Sequence, residues 1–216
     1  MKAQSAGTFT SSRLDLLAID RTLSEDELAI RDATRQLVDR AVRPHVAEWY
    51  ETGTLPAREL ALQCGEVGLL GMHLEGYGCA GTSAVEYGLA CIELEAADSG
   101  IRSLVSVQGS LAMYPIWRYG SEEQKQRYLP GMAAGEIVGC FGLTEPDAGS
   151  DPAAMRTRAR RDGDGFVLTG GKMWITNGTI ADIAVVWAKL APGDKDAADG
   201  GEQIRGFIVP TTTPGF

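Results

Sequence analysis

The hydrophobic rhythm of this 216-residue chain changes once, at Gly135. Before it, apolar residues recur every three to four positions; after it they fall into short runs separated by glycine pairs. A period of 3.6 lays one stripe of a helix on a core, whereas a strand alternates its faces residue by residue, so the two patterns cannot describe one kind of element. The expected architecture is therefore α+β and multi-domain, with a helical domain over residues 1–134 followed by an antiparallel, barrel-like β domain over residues 135–216.

In the first part, Ser24 and Glu27 have capping-box spacing, and Ile30, Ala33, Leu37, Val38, Ala41 and Val42 follow at helical period, which predicts a helix that Pro44 ends or bends. Pro56 suits the start of a second helix running toward Gly65, and the glycine-rich GLLGMHLEGYGCAGTS reads as a loop crossing the molecule. Val85, Leu89, Ile92 and Ala96 mark a third helix. Asp98, Ser99 and Gly100 break it before a largely apolar, central fourth that begins near Arg102. Ser121 and Gln124 cap a fifth, closed by Pro130 and Gly131.

In the second part, EIVGCFGL, MRTRARR, FVLTG, KMWIT, ADIAVVWAKL and QIRGFIVP read as strands, with hairpin signals at 162–165 and 170–171. The polar stretch at 191–202 reads as a mobile surface loop. With a turn-like tail after the last strand, the sheet is expected to keep an open edge.

Composition narrows the function classes. A net charge of -9 opposes broad nucleic-acid binding, and Arg156, Arg158, Arg160 and Arg161 alternate as a solvated strand face would. Cys64, Cys79, Cys91 and Cys140 form no CxxC pair and His45 and His73 no ligand-spaced cluster, so reduced, mostly buried thiols are expected and no metal site. No apolar run is long enough for a membrane span or a secretory signal. Lys2 and Arg13 among hydroxyl residues fit a short organellar leader, while Asp15 and Asp20 count against one; bacterial cytoplasm is expected, or the mitochondrial matrix in a eukaryote.

Two segments carry candidate chemistry. In GCFGLTEPDAGSD (139–151) a strand runs into Thr144 and then a turn with Gly149 and Ser150, where small residues let a ligand approach backbone N–H groups; the same composition suits an ordinary loop. In KMWITNG (172–178) a strand would set Trp174 and Thr176 on one face, a flat ring beside a hydroxyl, although aromatic strand residues more often belong to a core.

Taken together, LTEPDAGSD and KMWITNG, with the helical front and YGSEEQKQRYLPGMAAGE, resemble the acyl-CoA dehydrogenases. The resemblance implies FAD as cofactor. Phe141, Gly142, Leu143 and Thr144 would lie along the flavin, with Gly149 and Ser150 bordering it. Trp174, Ile175 and Thr176 would pack on its other side, and Ser150 would also touch the pantetheine arm of an acyl-CoA. SGIRSLVSVQGSL (99–111) resembles the glutaryl-CoA dehydrogenase form of the substrate helix. That likeness implies that Arg102 pairs the distal carboxylate of glutaryl-CoA, with Glu95, Ser103 and Ser106 lining the same end. Taken alone, Arg102 is more readily read as a solvated residue at a helix start.

The family's activity would be oxidation of glutaryl-CoA with decarboxylation to crotonyl-CoA, electrons passing to electron-transfer flavoprotein, in a homotetramer when full length. The family's base and tetramer contacts come from a C-terminal helical bundle outside these residues, so no catalytic residue is assigned and the chain alone is expected to be inactive. Glu145 matches a structural position and is not taken as the base. A short-chain acyl-CoA dehydrogenase and a non-catalytic flavin- or acyl-CoA-binding assembly module are the alternatives.

Overall fold

The computed structural model describes residues 17–190 and 203–216, so the expected 191–202 loop and most of the leader-like start lie outside the described residues. Helix α1 (Glu25–Ala41) begins at the expected capping box: Ser24 Oγ accepts the Glu27 N–H at 3.2 Å, and the Glu27 carboxylate accepts the Ser24 N–H at 2.7 Å. Such a cap contributes about 1 kcal/mol. A short α2 (Val46–Thr52), too brief to show a period, follows the Pro44 turn and was not anticipated. Helix α3 (Ala57–Glu66) starts directly after Pro56.

The glycine-rich crossing is less open than its composition suggests. Leu69, Leu70, Met72 and Leu74 are all 3% exposed or less, and a two-residue hairpin, β1 (Glu75–Gly76) with β2 (Cys79–Ala80), sits within it. Alternating glycine with large apolar residues lets the chain turn while it buries four side chains.

Helix α4 (Ala84–Glu95) packs on α1, tied by Arg35, whose Nε and one terminal nitrogen hold the buried Glu93 carboxylate at 3.0 and 2.7 Å. Asp98 then caps α5 (Ser99–Ser106) by accepting the N–H groups of Gly100 and Ile101, so the expected break at 98–100 is itself the helix start. From α5 the chain continues through a π-helical stretch, Val107–Met113, into α6 (Tyr114–Tyr119). Helix α7 (Glu122–Ala133) runs past Pro130 rather than stopping there. Burial of Leu129, Met132 and Ala133 outweighs the one helical hydrogen bond that proline lacks. The stop is Gly135, at φ 78, whose N–H returns to the Met132 carbonyl.

The β domain is an open five-stranded sheet of β3 (Gly139–Gly142), β4 (Arg158–Asp162), β5 (Gly165–Thr169), β6 (Ile183–Leu190) and β7 (Ile204–Pro210). Its pairing is mixed, which corrects the purely antiparallel expectation. Strand β6 pairs β7 antiparallel along one edge and both β3 and β4 parallel along the other, while β4 and β5 form an antiparallel hairpin. Sequence-adjacent strands can reverse through a tight turn; β3 and β4 reach β6 over long connections, which permits the parallel sense.

A second correction concerns KMWIT, which is not a strand. Trp174 lies in the left-handed region at φ 59 and Asn177 at φ 65, so the segment is a folded loop and Trp174 and Thr176 share no strand face. Beta-forming composition loses here to side-chain anchoring by Lys172, described below.

One face of the sheet packs on the helices: Ile183 and Val185 join Leu74, Ala112, Met113, Ile116, Leu129 and Met132 in a shared core. The π-helical stretch lies directly behind β3, where Gly139 has room for no side chain against Ala112 and Met132. The helix that carries Arg102 and the strand that leads to Thr144 are thereby held back to back.

Candidate flavin and acyl-group site

The two candidate segments do converge. After β3, residues Glu145 to Ala148 form a tight turn closed by reciprocal backbone hydrogen bonds at 3.0 and 3.2 Å. The loop at 172–178 docks on it: the Met173 N–H donates to the Thr144 carbonyl at 2.9 Å, and Lys172 Nζ donates to the Leu143 carbonyl at 3.0 Å. Asn177 adds a bond to the Gly139 carbonyl at 3.3 Å.

Beneath this junction lies Glu145, 6% exposed. Lys172 Nζ reaches it at 2.8 Å, the backbone N–H groups of Arg156 and Thr157 at 2.6 and 3.0 Å, and the Thr157 hydroxyl makes a further short bond. Burial by itself would raise the carboxyl pKa. The bonds from Lys172, from the Thr157 side chain and from the two N–H groups outweigh it and hold the pKa down at about 2. A carboxylate with four donors and so low an affinity for protons cannot act as a base, in keeping with its structural reading.

Above the junction the polar groups are unengaged. Among the described residues, the Thr144, Ser150 and Thr176 hydroxyls have no hydrogen-bond partner, Gly149 is open, and the Trp174 indole is 86% exposed. A left-handed backbone is a costly conformation for a residue as bulky as tryptophan. Ile175 is half-buried and lines the same cavity as Gly142. Phe141 points the other way, its ring edge against Trp187 at 5.7 Å between centroids, in the core shared with the helices. Of the first segment, the backbone and Thr144 face the junction, while the Phe141 ring does not.

The second set gathers around Arg102. Its Nε donates to Glu95 at 2.6 Å and one terminal nitrogen to Ser106 Oγ at 3.2 Å; Glu95 also accepts from the Ser99 hydroxyl at 2.6 Å. The Arg102 bond, followed by that of Ser99, lowers the Glu95 pKa, and Glu95 raises that of Arg102. Ser103 is half-buried one residue on, its hydroxyl without a partner among the described residues. Sequence reasoning brought these four residues to one place but did not foresee that Glu95 would neutralise Arg102 directly. It also passed over Lys172 and Gln108. The only signal for Lys172 was its place at the head of KMWITNG, and that for Gln108 was a glutamine within an otherwise largely apolar helical stretch, a side chain that the structure leaves 1% exposed.

Two family models match the chain in succession: the acyl-CoA dehydrogenase N-terminal domain over residues 24–136 and the acyl-CoA dehydrogenase middle domain over residues 140–216. The chain belongs to the acyl-CoA dehydrogenases. Among solved structures it is 65% identical to glutaryl-CoA dehydrogenase from Mycobacterium smegmatis, with a TM-score of 0.87 over 94% of this chain and 50% of that one. A structure of glutaryl-CoA dehydrogenase from the same organism in complex with FADH2 matches at 60% identity and a TM-score of 0.86, with 94% and 50% covered. The short-chain-specific acyl-CoA dehydrogenase of Clostridium acetobutylicum is 35% identical over 92% of this chain and 51% of its own length. The chain thus spans about half the length of the relatives it matches.

Proposed function

We propose that these residues form the flavin-facing and acyl-facing walls of an FAD-dependent glutaryl-CoA dehydrogenase, which oxidises its substrate and decarboxylates it to crotonyl-CoA. The observation that carries the substrate assignment is the Arg102, Glu95 and Ser106 cluster at the start of α5. A guanidinium has five N–H donors in a planar fork. The bonds to Glu95 and Ser106 use two of its nitrogens, leaving donors for the distal carboxylate of a dicarboxylic acyl group. The 65% identity to the M. smegmatis enzyme supports the same reading.

The unengaged hydroxyls of Thr144, Ser150 and Thr176, the open backbone at Gly149 and the displayed Trp174 ring fit a flat, acceptor-rich cofactor. In this reading, residues Phe141 to Thr144, Gly149, Ser150 and Trp174 to Thr176 would hold FAD. When bound, FAD supplies the acceptor for a hydride from the acyl β carbon. The chain's own residues orient the thioester, with Ser150 against its pantetheine arm and Arg102 at its far end, so that reach between the two selects acyl length. Electron-transfer flavoprotein as electron acceptor and a homotetramer for the full-length enzyme belong to the same proposal.

A purified chain mixed with FAD and desalted tests it. Retained yellow absorbance, with glutaryl-CoA binding at least tenfold tighter than butyryl-CoA, is the expected result. Flavin retention with equal affinity for both would instead favour a short-chain enzyme. That second reading is supported by the C. acetobutylicum relative and by the partial neutralisation of Arg102 by Glu95.

A further inference from the structure

Lys172 heads the second of the two segments assigned to the flavin, and its ammonium is committed to the first. It donates to the Leu143 carbonyl of the first segment at 3.0 Å and to Glu145 at 2.8 Å, with the two side chains 12% and 6% exposed. Glu145 is in turn fixed to the entrance of β4 by the Arg156 and Thr157 N–H groups and the Thr157 hydroxyl. The backbone bond from Met173 to Thr144 sits one residue beyond Lys172, and the left-handed Trp174 one residue beyond that. A bulky residue keeps such a backbone only where its surroundings over-determine it. The nearest side-chain anchor is the buried ion pair, two residues away. Removing one partner of such a pair leaves an uncompensated charge, so the arrangement is all-or-none rather than adjustable.

We infer that the Lys172–Glu145 pair is a latch that positions the Trp174 loop against the Thr144 turn and thereby sets flavin affinity. Lys172 is a positioning residue, not a catalytic one. The inference rests on the flavin reading above and adds to it the device that holds the two walls in register.

Hydrogen exchange on the chain without flavin tests the latch by itself. In Lys172→Met, which keeps the apolar stem, the Met173 and Gly178 amides, the hydrogen-bonded ones within 172–178, should exchange at least tenfold faster while those of β6 and β7 stay as protected as before. Unchanged exchange at those two amides overturns the latch. Glu145→Gln, which keeps its shape and an acceptor, should give the same local pattern, and keeps the test open if Lys172→Met does not fold. FAD titration followed by flavin absorbance then reads the positioning role: affinity should fall at least tenfold in either variant. Affinity within twofold of the parent, despite faster exchange, overturns it. If the parent chain itself takes up no FAD while exchange responds as expected, the flavin reading is what fails, and the positioning role fails with it.

Discussion

Gln108 Oε1 accepts the Gly139 N–H at 2.7 Å, while its Nε2 donates to the Met132 and Ile137 carbonyls at 3.0 and 2.7 Å. One side chain, 1% exposed, therefore satisfies three backbone groups where α7 ends and β3 begins. It projects from the π-helical stretch, a geometry often found beside functional sites. Gln108→Leu keeps the volume and strands the Gly139 N–H and the Ile137 carbonyl, while the Met132 carbonyl keeps its bond from the Gly135 N–H. The loss should be about 2–4 kcal/mol in urea unfolding, since each buried group left unpaired costs roughly 1–3 kcal/mol and relaxation recovers part of it. A loss below about 0.5 kcal/mol would mean that water or a local shift replaces the amide.

Glu145 also gives the fold a defined acid sensitivity. Its folded pKa is depressed to about 2 from an ordinary 4.5, so its contribution is fully present above the unfolded value and is lost as pH falls from about 4.5 through about 2. The depression corresponds to stabilisation on the order of 3 kcal/mol. Unfolding midpoints recorded between pH 6 and pH 2 should fall steeply below about 4.5. The Glu145→Gln protein should be less stable at pH 6 and show a shallower decline across the same window. Parallel curves for the two proteins would locate the acid sensitivity elsewhere.

Short-range signals were legible in the sequence where their partners lie three or four residues away. The Ser24–Glu27 and Ser121–Gln124 boxes read correctly because each is a complete local contract between side chain and backbone. KMWIT misled because its strand-forming residues are overruled by a bond across 27 residues, from Lys172 to Glu145. Pro130 misled for a similar reason, since the packing that carries α7 past it involves Ile137 and the sheet. The turn after Thr144 stood out by its composition, but its flavin role, and the whole Arg102 set, were legible only through resemblance. Their spacing alone does not reveal that Phe141 turns into the core, or that Glu95 and Arg102 meet.

Gly65 shows a contact that periodicity cannot announce. A Cβ there would run into the Ala134 carbonyl, so α3 approaches the end of α7 backbone to backbone. Gly65→Ala should lower the melting temperature on the order of 5 °C, as overpacking costs roughly 1–3 kcal/mol. Gly88→Ala, in the middle of α4 with nothing within 4 Å of the added methyl, should leave it unchanged or raise it slightly. Equal effects at the two sites would show that helix propensity, not the close approach, governs both.

Arg102 separates a substrate-recognition role from a purely local one. If its free donors receive the distal carboxylate of glutaryl-CoA, Arg102→Ala removes a charge-assisted bond worth roughly 1.5–3 kcal/mol. Affinity of the flavin-loaded protein for glutaryl-CoA should then fall at least tenfold, while that for butyryl-CoA, which has no distal charge, should change less than twofold. Glu95→Gln acts in the opposite direction. It removes a like charge beside the arriving carboxylate while retaining an acceptor for Arg102, so glutaryl-CoA should bind more tightly, and the gain should shrink as salt is raised. Isothermal titration of both acyl-CoAs against the parent and the two variants reads all of these effects. Equal losses for the two ligands on Arg102→Ala would assign the residue to shaping the start of α5, and with it the dicarboxylic specificity would fall.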